Sequence, residues 1–569
     1  MIDQNLKIAI AQINPIVGDL EGNLRKIVSL WESVDGKVHL ICFPELALTG
    51  YPPEDLLLRR DFLRDCRKVL KDLVEISGRF NSACIIGVPL LKDDLYNSAV
   101  LVHKGSCLGE YHKRFLPNYG VFDEKRYFKR GENVLLFSLN GVRIGVTICE
   151  DIWYPEWLKK EYTLSGTHVV VSLNASPYCY GKTRFKENFL KARAEDNFCY
   201  VVYVNMVGGQ DELIFDGRSM VVSPDGEIIA RAKAFEEDLL LVSLDVSKVE
   251  ARRLIEPRLR EEVYREIWPK PELCIDCENG EFSLRVEDSP EEEAEIYEAI
   301  KLAIRDYFYK NGFKGVILGL SGGIDSGLTC VLAVDALGKD KVRALFMPTR
   351  FTSIESYEDS KELANNLGIP LYEIGIDGIF DSYRDTLRDV FGFEDFTIAD
   401  ENIQARIRAN ILFYLSNREG YLVLSTSNKS ESAVGYTTIY GDMSGGFAPL
   451  KDVYKVWVYR LARYRNSISP VIPKRMLEKP PSAELRPNQR DQDTLPPYEI
   501  LDDILRLHLE EGLGISDIVK LGFDESTVIR VFAMIRGAEY KRKQAPVGPK
   551  ITKRAFGKDY RMPITNRYL

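Results

Sequence analysis

The stretch VILGLSGGIDSG, Val316 to Gly327, joins an apolar run to a glycine-rich turn. The run reads as a buried strand and Ser321–Ser326 as the turn that leads into a helix. Glycine there lets the backbone adopt positive φ and approach a ligand closely. Free amides at a helix start, with its dipole, favour an anion. Two serine hydroxyls add donors, and Asp325 can reach a magnesium ion bridging phosphates. The Lys-Ser/Thr pair that ends a P-loop is absent, so holding a transferring γ-phosphate is not the expected task.

Working outward, the pattern alternates. KGVILGL, VRALFMP, LYEIGI and YLVLSTS read as strands; SGLTCVLAVDALG, SYEDSKELANNLGI and ENIQARIRANILFYLSNREG read as helices. This βαβ series predicts a parallel sheet with right-handed crossovers. Ligands in such sheets lie beyond the carboxyl ends of the strands, where the motifs fall. Upstream, Ser289-Pro290-Glu291-Glu292 predicts a helix start, with serine as cap and Glu292 closing a capping box. That helix is expected to run to Asn311-Gly312. The first part, to about residue 253, mixes strands such as LKIAIAQI, SACIIGVPL, VRIGVTIC and CYVVYVN with helices, so both parallel and antiparallel pairing are expected. A charged, proline-bearing stretch over 256–288 reads as a linker.

The 569 residues are 45% apolar and 28% charged, a globular composition, and the net charge of -9 does not suit a general nucleic-acid binder. No run of about 18 apolar residues offers a membrane span and the N-terminus carries no signal peptide, so a cytoplasmic protein is expected. The ten cysteines are mostly flanked by apolar residues and read as reduced core thiols. The one CxxC, Cys274 to Cys277, lacks the second pair a zinc site needs. Five histidines leave the chemistry to carboxylates, lysine and thiol.

The S-G-G-x-D-S turn after an apolar strand resembles the pyrophosphate loop of the ATP pyrophosphatases, which cleave ATP between the α and β phosphates and adenylate a carboxyl or carbonyl. Among them, STSNKSESAVGYTTIYGDMSGGFAPLKDVYK, Ser425 to Lys455, resembles the NAD synthetases. By that resemblance Ser321, Gly322, Gly323, Ile324, Asp325, Ser326 and Thr426 bind ATP, and Asp325 and Glu431 hold Mg2+. Asn402 and Arg406, with Glu431, Asp442 and Lys455, are expected to hold deamido-NAD. Arg350, after FMPT, is expected to meet nucleotide phosphates. KPPSAELRPNQRDQDTLPPYEILDDIL and KRKQAPVGP resemble segments of the same family and are expected as loops over the nucleotide.

Amidating an adenylated carboxylate requires ammonia, which is mostly protonated in neutral water. A second site that makes it locally meets that need, and three segments supply one. FPELALTGYP places Glu45 after a strand, YHKRFLPNYGVFDE carries Lys113 and Glu124, and VRIGVTICEDIW places Cys149 at a strand end. Together they resemble the nitrilase (carbon-nitrogen hydrolase) superfamily with its Glu-Lys-Cys triad. The resemblance makes Cys149 the nucleophile, Glu45 the proton carrier, Lys113 with the Glu150 amide the oxyanion donors, and Glu124 an orienting glutamate. Tyr119, Ser176 and Glu150 are expected glutamine contacts. A Cys-His pair using His112 is the alternative, but successive residues usually point apart. Other glutamine-amidotransferase types fit poorly: one uses an N-terminal cysteine where residue 2 here is isoleucine, and another a Cys-His-Glu set around a G-x-C-x-G elbow that the sequence lacks.

The resemblance covers nearly the whole chain and implies three parts: a glutaminase over 1–255, a linker over 256–288, and a synthetase over 289–569. The expected fold is α/β, a nitrilase-like α-β-β-α sandwich followed by a Rossmann-like parallel domain of the PP-loop type. The combination resembles the glutamine-dependent NAD synthetases. It implies ATP, glutamine and deamido-NAD as substrates, magnesium as cofactor, an enclosed ammonia route, and a homo-oligomer with dimerising synthetase domains, up to an octamer. Two alternatives stand beside it: another PP-loop amidotransferase with a different acceptor, and a nitrilase-like hydrolase whose second half only senses nucleotide.

Overall fold

The computed structural model describes residues 5–262, 268–278, 282, 284–392, 394–487 and 489–568. The chain divides into two compact units, 1–210 with 214–289, and 211–213 with 290–569.

The first unit begins β1 (Asn5–Gln12), α1 (Leu20–Val34), β2 (Leu40–Cys42), α2 (Arg60–Ile76), β3 (Ala83–Leu91), β4 (Leu95–His103) and β5 (Ser106–His112). It continues β6 (Leu136–Leu139), β7 (Val142–Ile148), α3 (Pro155–Glu161), β8 (Val169–Asn174), α4 (Lys182–Asn197) and β9 (Tyr200–Asn205). A hairpin of β10 (Val207–Gln210) and β11 (Leu213–Asp216) precedes β12 (Met220–Val222), β13 (Ile228–Arg231), β14 (Asp238–Asp245), α5 (Ser247–Ile255) and β15 (Glu272–Leu273). Two sheets result, ordered β14-β1-β2-β3-β4-β5 and β13-β12-β9-β8-β7-β6-β15. Pairing is parallel through β1, β2 and β3 and through β7, β8 and β9, and antiparallel toward several edges.

Ile8, Ile85 and Leu101 of the first sheet share one fully buried cluster with Ile144, Val171 and Val202 of the second. Helices cover the outer faces, giving α-β-β-α layering. In α1 the buried residues Leu20, Leu24, Ile27, Trp31 and Val34 recur at helical spacing. At about 2 kcal/mol for each buried large apolar side chain, this stripe outweighs intrinsic propensity in holding α1.

The expected linker does not run free between the units. Within 256–288, β15 pairs in parallel with β6, and Val286 bridges Arg231. Without β15, β6 would leave a row of backbone groups unpaired at the sheet edge.

The second unit runs α6 (Glu292–Lys310), β16 (Gly315–Gly319), α7 (Ile324–Leu337), β17 (Val342–Phe346), α8 (Ile354–Leu367), β18 (Leu371–Glu373), α9 (Asp377–Phe391), α10 (Ile398–Glu419) and β19 (Tyr421–Val423). Further helices include α11 (Lys429–Val434), α12 (Lys455–Ile468), α13 (Lys474–Glu478) and α14 (Tyr498–Leu509). All pairings in the sheet β18-β17-β16-β19 are parallel. Numbered by sequence within this unit, the order is third, second, first, fourth. The order reverses between β16 and β19, which opens the crevice where such sheets take ligands.

Two local expectations change. The helix α6 begins two residues late: Glu291, in extended conformation, is the cap residue in place of Ser289. Its buried face starts only at Ile296, so an earlier turn would have nothing to pack on, while Glu292, Glu293 and Glu295 already complement the dipole. The helix α9 lies between LYEIGI and α10, where no helix is expected above; its apolar residues do recur at helical spacing, though the fold buries only Phe380 of them. Among the described residues no helix is long and apolar enough to cross a membrane.

Candidate active sites

The first site lies where strands of both sheets end. Glu45 follows β2, Lys113 follows β5 and Cys149 follows β7. Gly87 makes room for the Glu45 segment: a Cβ there would lie 2.3 Å from the Leu46 amide nitrogen and 2.5 Å from the Pro44 carbonyl. Leu46 and Cys149 both adopt left-handed backbone, φ +47° and +46°. Such conformations cost about 1–3 kcal/mol outside glycine and gather at functional sites.

The Lys113 ammonium donates to Glu45 Oε1 and to Glu124 Oε1, each at 2.7 Å. Tyr51 donates to Glu124 Oε1 at 2.8 Å. Asn97 Nδ2 donates to Glu45 Oε1 at 2.7 Å, and the Ala175 amide donates to Glu45 Oε2 at 3.0 Å. Glu45 and Lys113 are each 1% exposed and Glu124 is 4% exposed. Burial opposes the lysine charge, yet Glu124 and Glu45 hold its ammonium above the ordinary lysine value. Burial lifts the Glu124 carboxyl to about 7. Cys149 feels the charges of Glu45, Lys113 and Glu124; burial first, then Glu45, pushes its thiol well up, while Lys113 pulls it down. The resting thiol is therefore protonated, and an attack by sulfur calls for a base.

Ser176 is buried, with its amide held by Asn205 Oδ1 at 3.0 Å. Tyr119 is exposed and its hydroxyl donates to Glu150 Oε2 at 2.9 Å. Three residues of this neighbourhood were not singled out in the sequence: Tyr51, Asn97 and Lys182. Burial pushes the Lys182 ammonium down, Lys186 pushes it further, and the Cys149 charge opposes the shift. Tyr51 lies inside the FPELALTGYP motif, which was its available signal. His112 instead pairs with Ser98 at 2.7 Å and stacks on Tyr96.

The second site is a cavity of about 250 Å³ at the carboxyl ends of β16, β17 and β19. The Ser321–Ser326 turn lines it together with Thr426, Glu431, Asp442 and Lys455. Gly322 has φ +81°, and a Cβ there would lie 2.5 Å from the Ser356 carbonyl, so the turn packs directly on the start of α8. Ser326 Oγ accepts from the Ser321 amide at 3.1 Å, fixing the turn.

Asn428 caps α11 and donates to Asp325 Oδ1 at 2.8 Å. The Lys455 ammonium bonds Asp325 Oδ2 and stands 3.4 Å from Glu431 Oε1. Burial opposes the Lys455 charge, but Asp325 and Glu431 raise its pKa. Burial lifts the Glu431 carboxyl to about 8 and the Asp442 carboxyl to about 6. Asp491 joins from the 481–497 segment, where Tyr498 donates to it at 2.8 Å.

Asn402 and Arg406 do not line this cavity. Thr438 Oγ1 donates to Asn402 at 2.7 Å and Arg406 Nε donates to the Ile439 carbonyl at 3.1 Å, so both brace the loop that carries Asp442. Arg408 lines the cavity instead, with Ala405, Ala409 and Leu412 of the same helix face. Arg350 pairs with Asp377 at 3.1 Å and with Asp381 at 2.6 Å and is not among the lining residues, although Met347 and Thr352 on either side of it are. Of the two loop segments expected over the nucleotide, 479–485 and Asp491 line the cavity.

Among the described residues no group of three His, Cys, Asp or Glu side chains is placed to hold a metal by itself. Asp325 and Glu431 fit a different mode: two carboxylates straddling one cation position, here met by Lys455. Magnesium is commonly bound by one or two carboxylates, with substrate phosphates and water completing its shell.

Strand-end cysteine, lysine and glutamates in the first unit, and a phosphate turn in the second, define a carbon-nitrogen hydrolase joined to an ATP-using synthetase. Comparison gives the same division: residues 7–254 match the carbon-nitrogen hydrolase family and residues 296–545 match the NAD synthase family. A glutamine-dependent NAD(+) synthetase of Aquifex aeolicus is 56% identical over 99% of this chain and 100% of its own length. One from Thermotoga maritima is 48% identical over 99% of each chain. The solved structure of the glutamine-dependent NAD+ synthetase of Acinetobacter baumannii, in complex with ADP, is 40% identical with a TM-score of 0.74 over 99% of each chain. The chain belongs to the glutamine-dependent NAD(+) synthetase family, enzymes of the ligase class.

Proposed function

We propose that the two sites perform successive halves of one reaction: deamido-NAD, ATP and glutamine become NAD, AMP, pyrophosphate and glutamate. In the first half Glu45 takes the Cys149 thiol proton as sulfur attacks the glutamine carboxamide. Lys113 and the Glu150 amide hold the oxyanion. Collapse expels ammonia, which takes its proton from Glu45, and water then releases glutamate from the thioester. Glu124 and Tyr51 keep Lys113 charged and aimed. Lys182 is the cation available to the glutamine carboxylate, with Tyr119, Glu150 and Ser176 as further contacts.

In the second half the nicotinate carboxylate attacks the α-phosphorus of ATP and pyrophosphate leaves on the Ser321–Ser326 turn. Thr426 holds ATP beside it. Asp325 and Glu431 hold magnesium, which neutralises the departing pyrophosphate when bound. Asn402, Arg406, Asp442 and Lys455 hold deamido-NAD, the first two through the loop they brace. Ammonia then displaces AMP from the adenylate, and an enclosed route keeps both reactants from water.

The observation that carries this reading is the buried Glu45–Lys113–Glu124 cluster, bonded through Lys113 at 2.7 Å, at the strand ends that also carry Cys149, in a chain whose other unit carries a glycine-rich turn at a switch point. The exposed stripe Ile379, Tyr383, Leu387 and Val390 along α9 supports a homo-oligomer, checked by light scattering on the eluted protein. The deciding experiment incubates the protein with deamido-NAD, ATP, magnesium and glutamine and identifies products by mass. NAD, AMP and glutamate in equal amounts are expected; unconverted deamido-NAD would instead favour a different acceptor.

A further inference from the structure

We propose that Asp151 is a positioning residue of the thiol site: its single carboxylate sets Cys149, borne by one sheet, in register with Lys113, borne by the other. The inference rests on the reading of Cys149 as the nucleophile.

Asp151 is fully buried. Its Oδ1 accepts from the amides of Arg114 at 3.0 Å and Phe115 at 2.8 Å, the two residues that follow Lys113. Its Oδ2 accepts from the Tyr111 hydroxyl at 2.7 Å and from the Ile148 amide at 3.0 Å, the residue before Cys149. Tyr111 is the last residue but one of β5 in the first sheet, and Ile148 ends β7 in the second. Glu45 and Lys113 thus approach from one sheet and the sulfur from the other, and this carboxylate is hydrogen-bonded to both segments. Phe115 stacked on Tyr154, ring centroids 3.6 Å apart, makes a second tie between the same segments.

The demand on that tie is high. Cys149 sits in left-handed backbone, a conformation that persists only when its surroundings over-determine it. The hydrogen bonds of Asp151 hold the residue just before that strained turn. Burial lifts the Asp151 carboxyl to about 6, while the Phe115 amide and the Tyr111 hydroxyl favour its ionised form.

Asp151→Asn keeps the volume but replaces one acceptor oxygen by an amino group, which then faces two donors. The expected result in the full chain is a fall of roughly 10²-fold in kcat for glutamine-supported NAD synthesis, the cost of a small misplacement of reacting groups. KM for glutamine should stay within about threefold and ammonium-supported synthesis within about twofold. A general structural role would not give that split. Tyr111→Phe, which removes one hydrogen bond and leaves the carboxylate, should lower the same kcat by about three- to tenfold, and it keeps the test decisive if Asp151→Asn does not fold. Wild-type kcat in both variants, equal loss with ammonium, or a change in KM alone would overturn the proposal. Cys149→Ala run beside them separates the two failures: if it still uses glutamine, the nucleophile reading is wrong; if it is silent while Asp151→Asn and Tyr111→Phe are normal, only the role of Asp151 is.

Discussion

The two sites handle charge in opposite ways. In the first, Glu45, Lys113 and Glu124 are almost completely buried and bonded to one another, with Tyr51, Asn97 and the Ala175 amide as further partners. In the second, the Asp325 and Glu431 side chains are each 16% exposed, line an open cavity, and share one lysine. The first arrangement suits a small neutral amide, because its charges are in place before substrate arrives and need no imported counter-ion. The second keeps acidic side chains beside a turn built for phosphate. On the proposed reading a divalent cation would reconcile the two anionic partners, so the open site would be completed by its ligands and the closed one would not.

That contrast can be broken by substitution. On the proposed role of Asp325 as a metal-holding carboxylate at an adenylating centre, Asp325→Ala should lower NAD synthesis from glutamine and from ammonium alike by about 10³-fold. Survival of ammonium-supported synthesis would contradict it. Glu124→Gln should lower glutamine-supported synthesis by about 10²-fold, since it withdraws one of the two carboxylates that hold Lys113 charged. Ammonium-supported rates should remain within about twofold, and a joint loss would erase the distinction drawn between the sites.

Titration sharpens the comparison further. Burial lifts Glu431 to about 8, so between the ordinary carboxylate range and pH 8 the folded chain holds a proton that the unfolded chain releases. Its contribution to stability is therefore present at low pH and lost as pH rises through about 8. If Glu431 holds the metal, binding needs its ionised form, so the magnesium concentration for half-maximal ammonium-supported synthesis should fall by about fivefold from pH 7 to 8 and level off about one pH unit higher. A flat dependence would remove Glu431 from the metal. The smallest effect belongs to Arg350→Ala. Its half-exposed ion pairs are worth about 0–1 kcal/mol, and KM for ATP should change by less than about twofold; a large rise would return Arg350 to the nucleotide.

The sequence revealed the sites where a motif coincides with a strand end. The Ser321–Ser326 turn and Cys149 stand directly after apolar runs, and both lie at the ends of central strands. It does not say which neighbouring side chain faces the cavity where helical phase decides. Arg406 and Arg408 are two residues apart, about 200° around a helix. Asn402 and Arg406 share the face toward the 437–442 loop, while Ala405, Arg408, Ala409 and Leu412 share the face toward the cavity. Asn97 could not be read because β4 is buried on both faces, which leaves no alternation to mark an inward polar residue. The stretch 256–288 looked like a linker by composition, since the edge of β6 that it covers is created only by folding.

The central claim is that nitrogen released at Cys149 becomes the carboxamide made beside Asp325. The most direct measurement supplies glutamine labelled with 15N in its side-chain amide together with unlabelled ammonium, and reads the isotope in the NAD formed. Labelled product from the wild-type chain, and unlabelled product at an undiminished ammonium-supported rate from Cys149→Ala, is the predicted result. Labelled NAD from the alanine variant, or unlabelled NAD from the wild type with glutamine in excess, would contradict it.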